Sequence, residues 1–402
     1  MDPSQTVYEE PAIRSWVEWT PARIAAAELQ SDAGYFRLAA DLCDALLSDD
    51  RVRGTLVTRV RGLLGLPFSF ERSARRASFH RTAVRALEAE EDWWTIAPDH
   101  QLTQLGRWGI LLGVGVAQKV WTLGARGRLL PVLDVWHPQG LRRDPSTGTW
   151  TITTAAGDVE IATGSTQWAL HAPEGLKRPE GCWRAVARWW LLKQYARSDW
   201  GVQGERAAGI RVAKPPMPQA GAIEASKANR QAIADELKRL ARNGGMVLPP
   251  GWDLTIVQAQ ARTWETFKAQ IDMANAGIAI AIAGQNLTSE VTRGSYAAAQ
   301  VHATIANVLL RSDAESLSTT LHDQVLSQWA AYNLAGGSQA APWPVWDTMP
   351  PEDLAASFAG WSAAVDAGQK ADQALHGAGS DSQVDWDEII RRAGIPVRKR
   401  EA

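Results

Sequence analysis

Cysteine is almost missing from this sequence. Its 402 residues hold two, Cys43 and Cys182, far apart and outside any metal-ligand spacing. A disulfide framework or a zinc knuckle is therefore not expected, and a reducing compartment fits better. Long apolar runs are missing too. The longest, residues 109–117 and 276–283, are too short to cross a bilayer, so no membrane partner is expected. No targeting segment is expected either, because the opening MDPSQTVYEE is acidic and polar. Net charge is nearly absent, at −2. No global basic field marks a protein that grips nucleic acid. Phe and Tyr are scarce, at six and five residues.

Tryptophan takes their place, with twenty residues. Trp offers large buried area, so core packing and subunit contacts are its expected use, with ligand stacking as the alternative for some. Hydrophobic content of 45% and charged content of 21% suit a folded chain with a large core. Charge is balanced overall but segregated. Residues 1–50 hold ten acids against three arginines, and residues 51–85 hold nine arginines against Glu71. Residues 181–214 are basic and residues 351–388 acidic, with a basic tail from Arg391. Alternating blocks suit a surface on which unlike faces of copies meet, or simply solvated helix faces.

Periodicity gives a mainly helical α+β chain. Thr20-Pro21 reads as an N-cap followed by a first helical proline. Helices are predicted over 35–47, from Asp49-Asp50 to Gly65, over 80–97 and over 99–112, with a short strand at 68–70. From about Gly113 the pattern becomes strands at 114–121, 129–136, 149–154, 158–162 and 166–171, expected to form one small antiparallel sheet. Residues 183–202 are helical. Residues 204–258 form a separable insert of strand 210–213, helix 225–241 and two further short strands. After residue 333 the pattern breaks up, and residues 351–390 read as three short helices interrupted at Gly368 and Gly377.

The chain centres on residues 262–331. Trp264, Phe267, Ile271, Ala274, Ile278 and Ile282 make an apolar helical stripe that stops at Gly284. A polar loop, Gln285 to Arg293, follows. Gly294-Ser295 then starts a longer helix marked by Val301, Ile305, Val308, Leu317, Leu321 and Val325. No catalytic motif accompanies these elements. The chain has no phosphate loop, nucleophile elbow or ligand-spaced histidine pair, and Gly113-Val-Gly115 leads into a strand instead of a helix. Neither catalytic nor metal-binding residues are expected, and no cofactor.

Several stretches carry a resemblance. Gly284-Gln285-Asn286-Leu287-Thr288 before Gly294-Ser295-Tyr296-Ala297 resembles the loop and helix start of Mu-like tailed-phage portal proteins. So do Leu46-Leu47-Ser48-Asp49-Asp50-Arg51-Val52 with Arg59, Asp134 to Pro138 with Gly148 to Trp150, and Pro179 to Gly181 with Asp199-Trp200. The resemblance runs from about Leu38 to Asn333, and the section beyond has no counterpart in it. It implies a ring-forming portal fold of wing, stem, clip and crown. The wing would be 1–180, the stem helices 181–203 and 259–284, and the clip 204–258. The tunnel loop would be 285–293, the wing spine helix 294–345 and the crown 346–402. It implies a structural protein of the virion, assembled in the host cytoplasm, not an enzyme. The expected assembly is a dodecamer at the capsid vertex that conducts double-stranded DNA in packaging and ejection. Its implied partners are the terminase large subunit, a head–tail adaptor and the major capsid protein. Gln285, Asn286, Thr288, Ser289, Glu290 and Arg293 would face the DNA channel. Lys214, Lys227, Arg230, Glu236, Lys238 and Arg239 would meet partners at the clip.

The physics agrees with that implication. DNA that must slide cannot be held by many phosphate contacts, so a polar and partly acidic lining on a near-neutral chain suits a conduit. Lysine in place of Gln285, Asn286 and Ser289 is expected to impair packaging and spare assembly. Two other readings compete. Another virion or tail-adaptor ring protein would give no reason for an insert bracketed by long helices. A nucleic-acid-processing enzyme would need a carboxylate cluster that the sequence lacks.

Overall fold

The computed structural model describes residues 15–71, 77–162, 164–206, 210–214, 231–235, 252–257, 263–286, 296–348, 354–377 and 384–392. The chain divides into two compact units, Met1–Asp347 and Thr348–Ala402.

The first unit opens with three helices. α1 (Pro21–Asp32) starts at Thr20, whose hydroxyl accepts the Arg23 backbone N–H at 3.2 Å. This satisfies one of the donors a helix leaves open at its start. α2 (Arg37–Leu46) buries Ala39, Ala40, Cys43 and Leu46 beside Phe36, which stacks on Trp150. α3 (Asp50–Leu64) is capped by Asp49 and ends at Gly65. Its Val52, Leu56, Val60 and Leu63 face inward at three- and four-residue spacing. β1 (Phe68–Glu71) follows.

The helix expected over 80–97 is two helices, α4 (Ala77–Glu88) and α5 (Asp92–Ile96). Glu91 between them has φ of 62°, a left-handed conformation that no helix can continue through. α6 (Asp99–Leu111) leads into the strands, which form two sheets in place of the one expected. β2 (Gly115–Leu123) lies between β3 (Leu129–Trp136) and β7 (Trp168–His171). β4 (Leu141–Arg143), β5 (Trp150–Thr154) and β6 (Gly157–Ile161) make the second, all antiparallel. The cause is the turn at Pro138–Gly140, where the His137 ring accepts the Gln139 N–H and redirects the chain after β3.

The β3-β2-β7 sheet has a core on each face. Val116, Trp136, Trp168 and Leu170 point into one, shared with α1–α3. Ala117, Leu130, Leu133 and Ala169 point into the other, shared with α4–α6. This is the two-residue alternation of a strand used on both sides. Much of the tryptophan is structural: Trp19, Trp108, Trp183, Trp190 and Trp329 are fully buried.

Two long helices then pack together, α7 (Trp183–Arg206) and α8 (Thr263–Ala283). Between them lies an antiparallel ribbon of β8 (Ile210–Lys214) and β9 (Asp253–Val257). Residues 231–235 are helical, within the predicted 225–241, while 246–251 lie outside the described residues. The apolar stripe of α8 is only half buried. Ala274, Ile278 and Ile282 are in the core, whereas Trp264 is 52% exposed. Gly277 brings α7 and α8 close, because a Cβ there would overlap the Trp189 indole. Gly277→Ala is expected to cost about 1–3 kcal/mol in urea unfolding. Trp189→Leu in the same chain should recover part of that loss, and strict additivity would contradict the contact.

The spine of the unit is α9 (Tyr296–Leu321), a π-helical turn (His322–Leu326) and α10 (Ser327–Asn333). Leu317, Leu321, Val325 and Trp329 fill the second core. Val308, expected on that stripe, is 64% exposed, and the side chains of Val301 and Ile305 lie outside the described residues. β10 (Trp343–Trp346) returns the chain to β1, with Phe68 opposite Trp346.

Among the described residues the second unit holds α11 (Leu354–Gly377) and α12 (Trp386–Arg392), where three short helices were expected. α11 runs through Gly368. A Cβ at that position would lie 2.8 Å from the Trp386 ring, so this glycine accommodates a contact and does not break the helix.

Candidate functional site

The polar loop leaves α8 by a defined exit. The Gly284 N–H closes the last turn on the Ile280 carbonyl, and φ of 69° turns the chain left-handed, which glycine allows without strain. Of the expected channel residues, Gln285 and Asn286 are described. Gln285 is 5% exposed, in the wall of a cavity of about 480 Å³ between α3, α8 and α9. Asn286 is half-buried, and its Oδ1 accepts from Arg51 Nη2 at 3.4 Å. Both side chains of the loop's first turn thus lie against α3 within this chain. Thr288, Ser289, Glu290 and Arg293 lie outside the described residues.

The helix before the loop and the helix after it are tied to one side chain. Arg59 of α3 meets Asp313 of α9 through Nε at 2.6 Å and Nη2 at 2.8 Å, a two-pronged guanidinium–carboxylate pair. Its Nη1 donates to the Ile282 carbonyl in the last turn of α8. That carbonyl is one of those a helix leaves open at its C-terminus, where positive charge is also favoured. One guanidinium therefore joins α3, the end of α8 and the body of α9.

A second buried cluster ties α3 to α7. Lys193 is fully buried, and its Nζ donates to Asp49 Oδ1 at 2.9 Å and Asp50 Oδ1 at 2.7 Å. Asp49 Oδ1 also accepts the Arg51 and Val52 N–H groups, so the α3 cap and the ion pair share one carboxylate. The Lys193 hydrogen bond holds the Asp50 carboxyl below its ordinary pKa. Sequence reasoning missed both clusters, although a signal existed. Lys193 sits in register with Val186 and Trp190, and Asp313 beside Leu310, Ala314 and Leu317, each a charge at an inward position.

At the insert, Lys214 is exposed at the end of β8, paired in register with Asp253. Lys227, Arg230, Glu236, Lys238 and Arg239 lie outside the described residues.

The buried titratable groups are built for structure. Cys43 and Cys182 are free thiols, and burial pushes their pKa up, to about 12 for Cys182, which favours the protonated form of both. Burial pushes His171 down to about 4, and its Nδ1 lies 3.0 Å from the Thr320 hydroxyl. Among the described residues no group of three His, Cys, Asp or Glu could hold a metal, and no helix is long and apolar enough to cross a membrane.

Lys119 of β2 is the exception with a measurable consequence. Its Nζ donates to the Ser165 and Gln324 carbonyls, both at 2.6 Å, and to Gln328 Oε1 at 2.7 Å. Gln324 lies in the π-turn, so this contact pins the spine to the sheet. Burial lowers the amine from 10.5 to about 7. Between those two values the unfolded chain binds more protons than the folded one. Stability should therefore rise as pH climbs from about 7 toward 10.5, and this contribution should be flat below 7. Melting curves across that range should show wild type gaining on Lys119→Met as pH rises. A constant difference would contradict it.

These elements together define a class: a mainly helical α+β portal fold. The chain matches the neck of an empty gene transfer agent particle, computed with C6 symmetry, at a TM-score of 0.53 and 14% identity. That alignment covers 94% of this chain and 95% of the other. It also matches a chain from the virion of a native gene transfer agent particle, at a TM-score of 0.51 and 15% identity, covering 94% and 100% of the two chains. An HK97 family phage portal protein from Corynebacterium diphtheriae aligns at a TM-score of 0.45 and 9% identity, over 76% of this chain and 98% of that one. No curated protein matches the chain. The family comes from the sequence. Residues 40–395 match the family described as the portal protein of Mu bacteriophage, and this chain belongs to that family of phage portal proteins. The match extends past Asn333, where the motif resemblance ended. The family is structural and not catalytic.

Proposed function

We propose that copies of this chain close into a ring at the capsid vertex of a virion, and that double-stranded DNA passes through it in packaging and ejection. The observation that carries this reading is the paired helices α7 and α8, which bracket a ribbon insert and lead to a polar loop, with Arg59 holding the last turn of α8. Fold relatives from a particle neck with sixfold computed symmetry and from a virion support a symmetric assembly inside a particle. In this reading residues 1–180 form the wing, 181–203 and 259–284 the stem, and 294–345 the spine. The insert 204–258 is the clip, where the terminase large subunit and then a head–tail adaptor dock. Residues 346–402 form the crown. The major capsid protein surrounds the ring, which gathers its subunits in the host cytoplasm.

Residues 285–293 line the channel, with contact to DNA falling on Thr288, Ser289, Glu290 and Arg293. Gln285 and Asn286 serve as the loop's footing on α3. A conduit works by not binding, so a lining without strong phosphate contacts lets DNA slide. Lysine at Thr288 and Ser289 adds two cations per subunit at the point of passage. Such a variant should assemble normally and package DNA poorly, with the defect easing as salt is raised, because phosphate contacts are screened. Normal packaging at low salt would remove the loop from the channel.

A further inference from the structure

A second cavity, of about 510 Å³, lies between α2, α3 and α6 and belongs to none of the parts assigned above. Its size is in the range of sites that hold small ligands or a few side chains, about 300–1,000 Å³. Leu47, Leu56 and Val60 give it an apolar floor, and Arg53, Arg61 and Arg107 stand around it. These arginines differ from several others in the fold. Arg59 has Asp313, Arg128 has Asp92, and Arg184 has Asp32. The side chains of Arg53, Arg61 and Arg107 make no hydrogen bond or ion pair with any described residue.

Arg107 is the most exacting of the three. Its Nε is shut off from solvent and has no acceptor, and burial lowers its pKa. Holding that Nε–H out of water without an acceptor is costly, and an incoming carboxylate would offset the cost. Asp44 is the one acid in the cavity wall. It moderates the charge of Arg107 but lies 3.4 Å from His137 Nε2 and cannot balance three cations.

We propose that this cavity receives an acidic segment of a different protein chain, with carboxylates on the three arginines and one aliphatic side chain on the Leu47–Leu56–Val60 floor. Two features favour a peptide over nucleic acid. The floor is apolar, which suits a leucine-like side chain and not a phosphate backbone. The arginine set is compact, whereas duplex DNA is held by charges spread along its axis. Arginine forks meet carboxylates with two parallel hydrogen bonds, which gives such a dock orientation as well as charge.

The probe is a synthetic fluorescent peptide of alternating glutamate and leucine, titrated against the full-length protein at moderate salt. Its competitors are the glutamine–leucine version, inorganic phosphate and a short DNA duplex. The acidic peptide should bind at least ten-fold more tightly than the glutamine peptide and should not be displaced by millimolar phosphate. The double variant R53E/R61E changes two exposed side chains, so its melting temperature should be unchanged, yet the acidic peptide should bind at least ten-fold more weakly. Equal affinity for the two peptides, or unchanged affinity in R53E/R61E, would overturn the proposal. Displacement by the duplex in place of the peptide would make this a nucleic-acid surface and overturn it as well. Dissociation of an oligomer in R53E/R61E, with peptide binding retained, would seat a second copy of this chain in the cavity and likewise overturn it.

Discussion

Lys193→Met should lower the stability of the protein by about 3–5 kcal/mol, the usual loss when one partner of a buried ion pair is removed. The lysine is fully buried and Asp49 is 2% exposed. Without the ammonium, buried Asp49 keeps its charge with two backbone N–H groups of α3 and the more distant Arg197 guanidinium, 3.9 Å away, as its remaining support. Asp50 adds little to the loss, because its side chain is 73% exposed and rehydrates. The mechanism can be separated from simple repacking. Asparagine at position 49 preserves an N-cap while removing the charge. Asp49→Asn combined with Lys193→Met should therefore recover much of the stability lost in the single variant. Urea unfolding of the two variants decides it. A loss below about 1 kcal/mol in Lys193→Met would mean that the pair does not hold α7 onto α3.

Arg59→Gln should cost about 2–3 kcal/mol and should also loosen the loop. Asp313 is 6% exposed and loses both hydrogen bonds from the guanidinium, while the Ile282 carbonyl loses its donor. The distinctive readout is proteolysis. Arg293 precedes Gly294 in the loop and is a trypsin site. Cleavage that follows local opening tracks the opening equilibrium, so each 1.4 kcal/mol lost from the anchor should speed cutting after Arg293 about ten-fold. Arg59→Lys tests the geometry. A lysine keeps the charge but cannot grip Asp313 with two prongs and reach Ile282 as well, so cutting should remain well above the wild-type rate. Wild-type cutting in Arg59→Gln, with global stability reduced, would make Arg59 a packing residue and no anchor of the loop.

Local features of the fold were readable in the sequence, while features that depend on distant residues were not. The Thr20-Pro21 start and the helix that begins at Asp49-Asp50 and ends at Gly65 formed as the pattern indicated. Each follows from neighbours within about two helical turns. The break at Glu91 was not readable, because a left-handed glutamate has no strong sequence signature. Splitting the strands into two sheets depended on a turn at Pro138–Gly140 whose direction the strand periodicity does not encode. Gly368 shows the same limit. Glycine marks a possible break, yet here it fits a tryptophan that comes eighteen residues later in the chain.

The candidate loop was legible as a polar interruption between helices, and its anchors were not. Arg59 and Asp313 are 254 residues apart, and nothing local marks them as a pair. The expectation that Gln285 faces a channel came from the resemblance of its loop to the portal segment. Within the chain that side chain is buried beside α3, where a polar group can be held by its neighbours as well as by water. Amphipathic stripes also say which face is apolar and not what covers it. Trp264, Met273, Ile280 and Val308 are more than half exposed on α8 and α9.

The central claim is that this portal-family chain closes into a ring around a DNA channel. Electron microscopy of the purified full-length protein tests it most directly. The account expects closed rings of identical subunits with a central opening wide enough for duplex DNA, about 20 Å across, since both grooves and backbones must clear the rim. Particles that remain single subunits at every concentration, or rings whose centre is filled by ordered protein, would contradict it.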